Sequence, residues 1–337
     1  MIVNGFTIEP GAQLVQANLE KANLEDADLK GANLAGANLK NALLYFADLK
    51  GANLENANLE GADLYHADLT GANVKGARFN RAQLEGADLT DADLSGADLT
   101  QAFLSPVYLY NANLTDADLT FTNLNDSSVV GVNLSNALIA ETTFRDTYFG
   151  AADYSGIDFS TADLSLADFS EANLENANFS DADLSQADLT SANLTNANFS
   201  GATLRNTNFT GANLTGANFN FADLRKMIRY SSGGDITSQS ESGANLANAN
   251  VNGTDFSDAN LKDAILPESF FQHAIFDKKS FNENDDDWDD LENVKDDCDP
   301  DGHPSWYEPR QCSECTGLFM PNEEDSVYCN SCEGKSR

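Results

Sequence analysis

Basic residues and histidines are scarce in this chain of 337 residues. It contains 19 Lys and Arg against 54 Asp and Glu, which gives a formal net charge of −35, and it has only three His. Direct binding of a nucleic acid backbone needs Lys and Arg, so the composition argues against that function. The excess of carboxylates is suited to a basic partner surface, and it also serves solubility or adaptation to high salt.

Residues that enzymes commonly use for catalysis are few. The three histidines are His66, His273 and His303, and no Cys lies near them within the repeated part of the chain. No Gly-rich loop of the kind that cradles a phosphate precedes a helical pattern, and no nucleophile motif is present. The sequence therefore predicts a protein that is not an enzyme.

Long apolar runs are also missing. No segment is long and apolar enough to span a bilayer, and the start, MIVNGFTIEPG, lacks the basic region, apolar core and cleavage site of a signal peptide. All five Cys lie in the last forty residues, four of them in a metal-like spacing, which fits a reducing compartment. We therefore expect a cytoplasmic protein.

What the sequence has instead is a repeat of five residues. Leu, or less often another apolar residue, stands at every fifth position from Leu14 to Leu224 (43 units) and from Leu246 to Phe281 (8 units). A small residue, usually Ala, stands two positions earlier, and Asp or Asn lies between them. A period of five fits neither an α-helix, a flat strand nor a heptad. It predicts stacked coils with a turn in every unit, Ala and Leu inside, and the remaining residues in water.

The Ala-Asx-Leu triplets, which cover about four-fifths of the chain, resemble the pentapeptide-repeat family. This resemblance implies an all-β fold, a right-handed, four-sided parallel β-helix with twenty residues per coil. At four units per coil the repeats would form about 13 coils, a rod of roughly 60 Å at the usual strand spacing. The resemblance says much less about function.

Both ends of such a rod need covers, because an open coil end is a sticky sheet edge. The residues expected in the covers are Ile2, Val3, Phe6 and Ile8 at the front and Trp288, Leu291 and Val294, in a short helix, at the back. The predicted segments are an N-terminal cap (1–11), the β-helix (12–224), an inserted loop (225–243), the continued β-helix (244–281), an acidic capping or linker segment (282–301) and a zinc-ribbon-like tail (302–337).

The insertion at 225–243 leaves the phase of the repeat intact. Phe159, Phe179, Phe199 and Phe219 recur every twenty residues, and Phe256 follows Phe219 after 37. If these residues form one interior column, seventeen residues are added to a single coil. Lengths that differ from this by five also fit the period.

The root of the insertion is basic and is followed by Ser and Gly. Its candidate partner-binding residues are Arg225, Lys226, Arg229 and Tyr230. One interpretation is a recognition loop that projects from the rod. The other is a tolerated corner insertion, with its basic root on the acidic surface of the rod and its Ser and Gly residues as slack chain.

Aromatic residues also occupy positions that should face outward. Tyr45 with Tyr65, and Phe46 with His66, form pairs twenty residues apart. Stacked surface aromatics favour a partner patch, whereas scattered ones are ordinary. Further outward aromatics are Phe103, Tyr108, Tyr110, Phe121 and Tyr148, and the aromatic interior positions of one coil are Phe144, Phe149, Tyr154 and Phe159.

Some pentapeptide-repeat proteins act as DNA mimics that bind type II topoisomerases, and the resemblance makes this an alternative function. Between residues 82 and 204 the chain has nineteen Asp and Glu against one Arg. The resulting density is about one charge per 1.6 Å of rod, close to that of duplex DNA. Against mimicry, Asp is half of the Asx preference of the repeat, and no plain dimerising C-terminal helix is present.

Four cysteines of the tail have the spacing of a zinc site. The pattern Cys312-x2-Cys315-x13-Cys329-x2-Cys332 can place four sulfurs tetrahedrally around Zn²⁺. Disulfides and unbound thiols are the alternatives, and the gap is too short for rubredoxin-like iron. A closed site with four Cys would be structural, and the metal would supply the folding energy of so short a segment.

A calcium motif overlaps the start of this tail. The ligand positions of the D-x-D-x-D-G-x5-E pattern are Asp297, Asp299, Asp301 and Glu308. Pro304 argues against a calcium loop, because it removes a backbone N–H that such loops use. Cys298 and His303 flank the motif as alternative zinc ligands, or Cys298 is a spare thiol.

Taken together, these patterns predict a non-enzymatic structural or protein-interaction rod that carries a zinc-ribbon tail. The alternative is an acidic DNA mimic that binds DNA gyrase. The partner is expected to be a protein, with no membrane and no direct nucleic acid binding by the rod.

Overall fold

Four ladders of parallel bridges form the body of the protein. The computed structural model describes residues 1–230, 236–240, 242–276, 280, 319–321 and 327–329. Each ladder residue pairs with the residue twenty positions later, and a new ladder starts every five residues, so one coil has four sides. The ladders begin at Gln13 (side 1), Asn18 (side 2), Asn23 (side 3) and Asp28 (side 4).

The five-residue unit explains both the interior and the corners. Ala42 and Leu44 are fully buried, as are their equivalents along most of the rod. The second residue of most corners has a positive φ, as at Asp26 (51°), Gly31 (62°) and Asn41 (55°). Gly, Asn and Asp adopt this left-handed conformation at the least cost, which explains their frequency at the corners.

The Asx residue of each unit holds its own corner and the neighbouring coil. Oδ1 of Asn53 accepts a hydrogen bond from the backbone N–H of Glu55 at 3.2 Å, and the side-chain amide of Asn73 donates to the same atom at 3.1 Å. Among the described residues this arrangement recurs along sides 1 and 2 and occurs once on side 4, between Asn208 and Asp188. The regular Asx residues are therefore part of the fold and not a surplus of surface charge.

The phenylalanines of side 2 form one stacked column through the insertion. Ring centroids are 4.7 Å apart for Phe199 and Phe219, and again 4.7 Å apart for Phe219 and Phe256. Bridge partners step by 37 residues here instead of 20, as for Asn218 and Asp255. The seventeen added residues thus leave the phase unchanged, as the spacing of the phenylalanines predicts.

A short antiparallel hairpin covers the N-terminal end. Its strands are β1 (Ile2–Val3) and β2 (Phe6–Thr7). Ile8 is buried, and Val3 and Phe6 pack on the core, but Ile2 is 76% exposed and so does not belong to the cover.

Near the other end of the rod the fivefold pattern is interrupted on one side and resumes at Ile275, which bridges to Asp255. The chain forms a one-turn helix, α1 (Phe270–His273), where the repeat would place the next coil side. Phe270 and Phe271 are buried, and the ring of Phe270 lies 5.1 Å from that of Phe256. The helix therefore packs two aromatic rings over the end of the interior. The cover expected at Trp288, Leu291 and Val294 lies outside the described residues.

Two neighbouring sides of the rod lose their ladder at one level. Among the described residues no bridge joins Asn133 to Asp153 on side 1 or Leu138 to Asp158 on side 2. Sides 3 and 4 continue through the same level. The interruption coincides with the coil whose interior is aromatic, where Phe144, Phe149, Tyr154 and Phe159 replace the usual Leu. Four rings need more room than four Leu side chains, which pushes the coils apart locally.

Two further hairpins complete the described structure. The insertion contains β3 (Ile228–Tyr230) and β4 (Ile236–Gln239), and the tail contains β5 (Phe319–Pro321) and β6 (Val327–Cys329); both pairs are antiparallel. Among the described residues, no helix has the length and apolar character required to cross a bilayer.

Candidate interaction surface

Ion pairs hold the root of the insertion against the rod. Nε of Arg225 lies 2.9 Å from one oxygen of Asp223, and Arg205 lies 2.7 Å from the other. Lys226 reaches Asp263 at 3.5 Å. Burial alone would raise the pKa of Asp223, but hydrogen bonds from the two arginines outweigh it and lower that pKa. Two of the four candidate residues of the root, Arg225 and Lys226, thus contact acidic residues of the rod.

Part of the insertion forms an antiparallel hairpin. Ile228, Arg229 and Tyr230 pair with Gln239, Ser238 and Ile236, with a bulge between Arg229 and Tyr230. β-branched and aromatic residues favour such strands, which explains why this part of the insertion is ordered as a hairpin. The residues SSGG at 231–234, which the sequence predicts to supply slack chain, lie outside the described residues.

The predicted outward aromatics lie on the surface of the middle coils. Tyr108 and Tyr148 lie on side 4, two coils apart, and each is about half exposed. Phe121, 60% exposed, lies alone at another corner. The structure thus spreads these residues over the rod, whereas it brings Tyr45, Phe46, Tyr65 and His66 into ring contact.

The acidic columns are tied into the fold by hydrogen bonds. Asp153 accepts from the backbone N–H of Ser155 at 3.0 Å and from the side chain of Asn173 at 2.9 Å. Hydrogen bonds from Ser155, and then from Asn173, lower the pKa of Asp153 against a small opposing effect of burial. Such a carboxylate keeps one oxygen for solvent or a partner, so the columns present charge without forming a catalytic pair.

The predicted metal ligands lie almost wholly outside the described residues. This applies to Cys312, Cys315 and Cys332 of the zinc pattern and to Asp297, Asp299, Asp301 and Glu308 of the calcium pattern. Cys329 is the last residue of β6, paired with Phe319 of β5. Within the described part of the chain, no group of three or more His, Cys, Asp or Glu is arranged to hold a metal ion.

Two features of the structure were not predicted from the sequence. Helix α1 was signalled only by Pro267 and the adjacent Phe270 and Phe271, which break the spacing of the unit. The lost ladder on sides 1 and 2 was signalled by the four aromatic residues of one coil, but their effect on backbone pairing depends on the space available inside the rod.

The repeat geometry agrees with a comparison against known families. A model of pentapeptide repeats matches the chain in eight copies, at residues 11–44, 42–81, 67–105, 104–139, 142–181, 167–206, 192–226 and 242–277. The chain belongs to the pentapeptide-repeat family. Membership of this family implies that the four-sided solenoid is a right-handed β-helix, and pentapeptide-repeat proteins are in general structural or interaction proteins and not enzymes.

Several solved structures of pentapeptide-repeat proteins are similar to this chain. HetL of the cyanobacterium Nostoc sp. strain PCC 7120, described as involved in the regulation of heterocyst differentiation, is 28% identical, with 78% of this chain and 91% of HetL covered and a TM-score of 0.39. Full-length QnrB1, a plasmid-mediated fluoroquinolone resistance protein, is 18% identical, with 64% and 92% covered and a TM-score of 0.32. Rfr23 of the cyanobacterium Cyanothece 51142 is 35% identical, with 29% and 63% covered and a TM-score of 0.17. A comparison with curated proteins gave no match.

Proposed function

We propose that this protein is a non-enzymatic interaction rod of about 13 coils whose exposed aromatics and inserted hairpin contact a protein partner. The observation that carries the proposal is the ordered hairpin on a ladder-bonded rod. Its base is held by the ion pairs of Arg225 and Lys226, while all four residues of β4, Ile236–Gln239, are exposed. A rod bonded by ladders presents such features at fixed spacings, which favours recognition of one partner geometry.

The insertion can be removed without disturbing the phase of the rod. Deletion of residues 226–242 takes out seventeen residues and joins Arg225 to Gly243, which creates the sequence LRGANL. The chain already contains LKGANL at 29–34 and at 49–54, each with the Gly at a corner position of positive φ. We call this protein the excision variant.

Affinity capture from the native host tests the proposal. The full chain, the excision variant and a chain without residues 282–337 serve as baits. Loss of a specifically captured protein with the excision variant assigns recognition to the hairpin, and loss with the shortened chain assigns it to the tail. Capture of no specific protein by the full chain argues against an interaction rod.

We further propose that the tail binds one structural Zn²⁺ through Cys312, Cys315, Cys329 and Cys332. Strand β5 lies between the two Cys pairs, and β6 ends at Cys329 of the second pair and runs antiparallel to β5, an arrangement that would return the chain to the first pair. Metal analysis of the purified protein should give about one zinc per chain, and the Cys312→Ser/Cys315→Ser variant should give none. Clearly less than one zinc in the parent protein would end this proposal.

Calcium binding by Asp297, Asp299, Asp301 and Glu308 is a separate proposal that rests on the sequence pattern alone. Calorimetric titration with Ca²⁺ tests it, with Asp299→Ala as the control. Equal heats for the two proteins would exclude the site.

The alternative function is that of an acidic DNA mimic directed at DNA gyrase. It is supported by the net charge of the segment 82–204, which has a linear density close to that of duplex DNA. A gyrase supercoiling assay distinguishes the two functions. Inhibition or protection of gyrase would favour mimicry, and no effect at micromolar protein would exclude it.

A further inference from the structure

Four aromatic rings form a compact cluster on the corner between sides 3 and 4. We call Tyr45, Phe46, Tyr65 and His66 the aromatic cluster. The rings of Phe46 and His66 are stacked at 5.5 Å and nearly parallel, at 12°. Tyr65 stands edge-on to both, 4.2 Å from His66 and 5.9 Å from Phe46, and Tyr45 stands edge-on to Phe46 at 6.4 Å. The cluster therefore combines ring faces and ring edges in one small area.

The cluster is exposed and lies at an unfavourable backbone position. Phe46 is 53% and Tyr65 38% exposed. Phe46 and His66 both have a positive φ, a conformation that bulky side chains rarely adopt. In the next coil, Gly86 leaves the space that the His66 imidazole fills, because a Cβ there would collide with the ring. The rod thus accommodates four rings at a corner where Gly, Asn or Asp would be the least strained choice.

Uncompensated carboxylates surround the cluster. Glu25 and Asp26 occupy the same corner one coil earlier, Asp63 immediately precedes the cluster on side 3, and Glu85 follows one coil later. A hydrogen bond to Glu25 raises the pKa of Tyr45, followed by smaller effects of burial and of neighbouring carboxylates. Within the described residues none of these four carboxylates forms an ion pair.

The neighbouring lysines are already paired elsewhere. Lys40 contacts Glu60 at 2.8 Å, Lys50 contacts Asp68 at 2.8 Å, and Lys30 contacts Asp48 at 3.2 Å. Among the described residues, the carboxylates around the aromatic cluster therefore have no cationic partner. An aromatic face beside carboxylates that lack an ion pair attracts a cation both through the ring quadrupole and through charge.

From these observations we propose that the aromatic cluster is the docking point for an arginine or lysine side chain of a basic polypeptide segment. The proposal rests on the proposed function and specifies the chemistry of the partner. A guanidinium group is suited to it, because it stacks on aromatic rings and pairs with carboxylates at the same time. A nucleic acid is disfavoured, because the surrounding carboxylates repel phosphates.

The cluster shares its corner with the inserted hairpin. The insertion leaves the rod after Arg225, which lies nine coils beyond Tyr45 on the same corner, about 43 Å away at the usual strand spacing. Between the cluster and the insertion, this corner is flanked by two exposed aromatic residues, Phe103 on side 3 and Tyr108 on side 4. The cluster and the root of the hairpin therefore lie on one edge of the rod, which also carries Arg145 and Arg205 between them.

A peptide titration tests the cluster directly. The probe is a short fluorescent peptide of alternating Arg and Gly, measured by anisotropy at low salt. The variant is Phe46→Asn/His66→Asn, in which Asn suits the positive φ at both positions and occurs naturally at Asn41 and Asn56. Phe121→Asn is the matched control, because Phe121 is an exposed aromatic with a φ of 59° that lies outside the cluster.

We expect the double variant to bind the peptide roughly threefold to thirtyfold more weakly than the parent protein, the range that cation–π contacts cover. Phe121→Asn and the excision variant should bind like the parent, and a peptide with citrulline for Arg should not bind. A Lys–Gly peptide that binds in the same variant-dependent way also supports the site.

Several results would overturn the inference: no binding of the Arg–Gly peptide by the parent, equal binding by the double variant, an equal loss in Phe121→Asn, or equal binding of the citrulline peptide. Tighter binding of a single-stranded oligonucleotide than of the peptide would do the same. If affinity capture retrieves a partner that the double variant still binds fully, the interaction rod stands and only the cluster inference fails.

Discussion

The hydroxyl of Tyr154 lies 2.8 Å from the carbonyl oxygen of Val129 and 2.9 Å from that of Phe149, and it accepts a hydrogen bond from the backbone N–H of Gly131. Elsewhere in the rod the N–H equivalent to that of Gly131 donates to a carbonyl of the next coil, as Gly11 donates to Lys30. The phenol therefore replaces a ladder contact at the level where sides 1 and 2 are interrupted. Burial raises the pKa of this phenol, so it stays protonated and able to donate.

Removal of this hydroxyl should destabilise the rod. Tyr154→Phe leaves the ring in place but strips a buried carbonyl and the Gly131 N–H of their partner, at a cost of about 1–3 kcal/mol. Urea unfolding followed by circular dichroism measures the change. Tyr148→Phe, whose side chain is about half exposed, is the control and should stay within about 0.5 kcal/mol of the parent. Equal stability of Tyr154→Phe and the parent would mean that water or a shifted backbone satisfies these groups.

Amide exchange should be fastest where the ladder is interrupted. In the described structure the N–H groups of Leu134 and Ile139 have no partner, whereas those of Leu114 and Leu119, one coil earlier, donate to the next coil at 2.8 Å. Unbonded amides exchange without an opening step, so hydrogen–deuterium exchange should separate the two levels by orders of magnitude. Equal protection at both levels would show that the ladder closes in solution.

The buried phenylalanine column should contribute more to the stability of the rod than the surface phenylalanines do. Phe219→Ala removes a ring stacked between Phe199 and Phe256, and comparable core changes cost about 3–5 kcal/mol. The matched control is Phe221→Asn, two residues away, since Phe221 is 69% exposed with a φ of 63°. Phe221→Asn should leave the free energy of unfolding unchanged or raise it slightly. Chemical unfolding checks both, and similar losses would contradict the assignment of inside and outside.

Acid should weaken the root of the insertion through Asp223. Its pKa in the folded protein lies below the unfolded value of about 3.9, so its stabilising contribution is present above that pH and is lost as the pH falls through the folded pKa. Asp223→Asn should lower stability at neutral pH, by about 1 kcal/mol or less for so exposed a network, and the difference should vanish at low pH. Unfolding measured against pH checks this, with Asp181→Asn as a control without an ion pair. A difference that persists at low pH would point to hydrogen bonding and not to charge.

The excision variant should fold with a melting temperature close to that of the parent. It keeps the Arg225–Asp223 contact and places Gly243 at a corner. Deletion of residues 226–243, which removes one residue more, makes that corner too short. This protein should have a melting temperature well below that of the parent. Circular dichroism thermal scans compare the three proteins. Equal melting of the two deletions would contradict the seventeen-residue phase.

The sequence predicted the regular part of the fold because one repeated unit carries all of its local physics. Leu44 and Ala42 are inside since only apolar side chains of these sizes fit there, and Gly31 and Asn41 turn the corner since they tolerate a positive φ. The phase across the insertion could be read from Phe219 and Phe256 alone. The exposure of Ile2 and the helical turn at Phe270 could not be predicted from the sequence, because each depends on which neighbour covers the end of the rod.

By itself, then, the sequence determined a solenoid with five-residue sides and an acidic surface, since a period of five sets the side length, and the resemblance to pentapeptide repeats implied four sides per coil. Only the tertiary structure decided where that regularity fails and what the surface presents. Sides 1 and 2 lose their ladder at the coil that holds four aromatic rings, and Tyr45, Phe46, Tyr65 and His66 become one cluster because two coils stack at a single strand spacing. The contacts of Phe46 with His66 and of Tyr154 with Val129 join residues twenty or more positions apart, and they exist only once the coils are stacked.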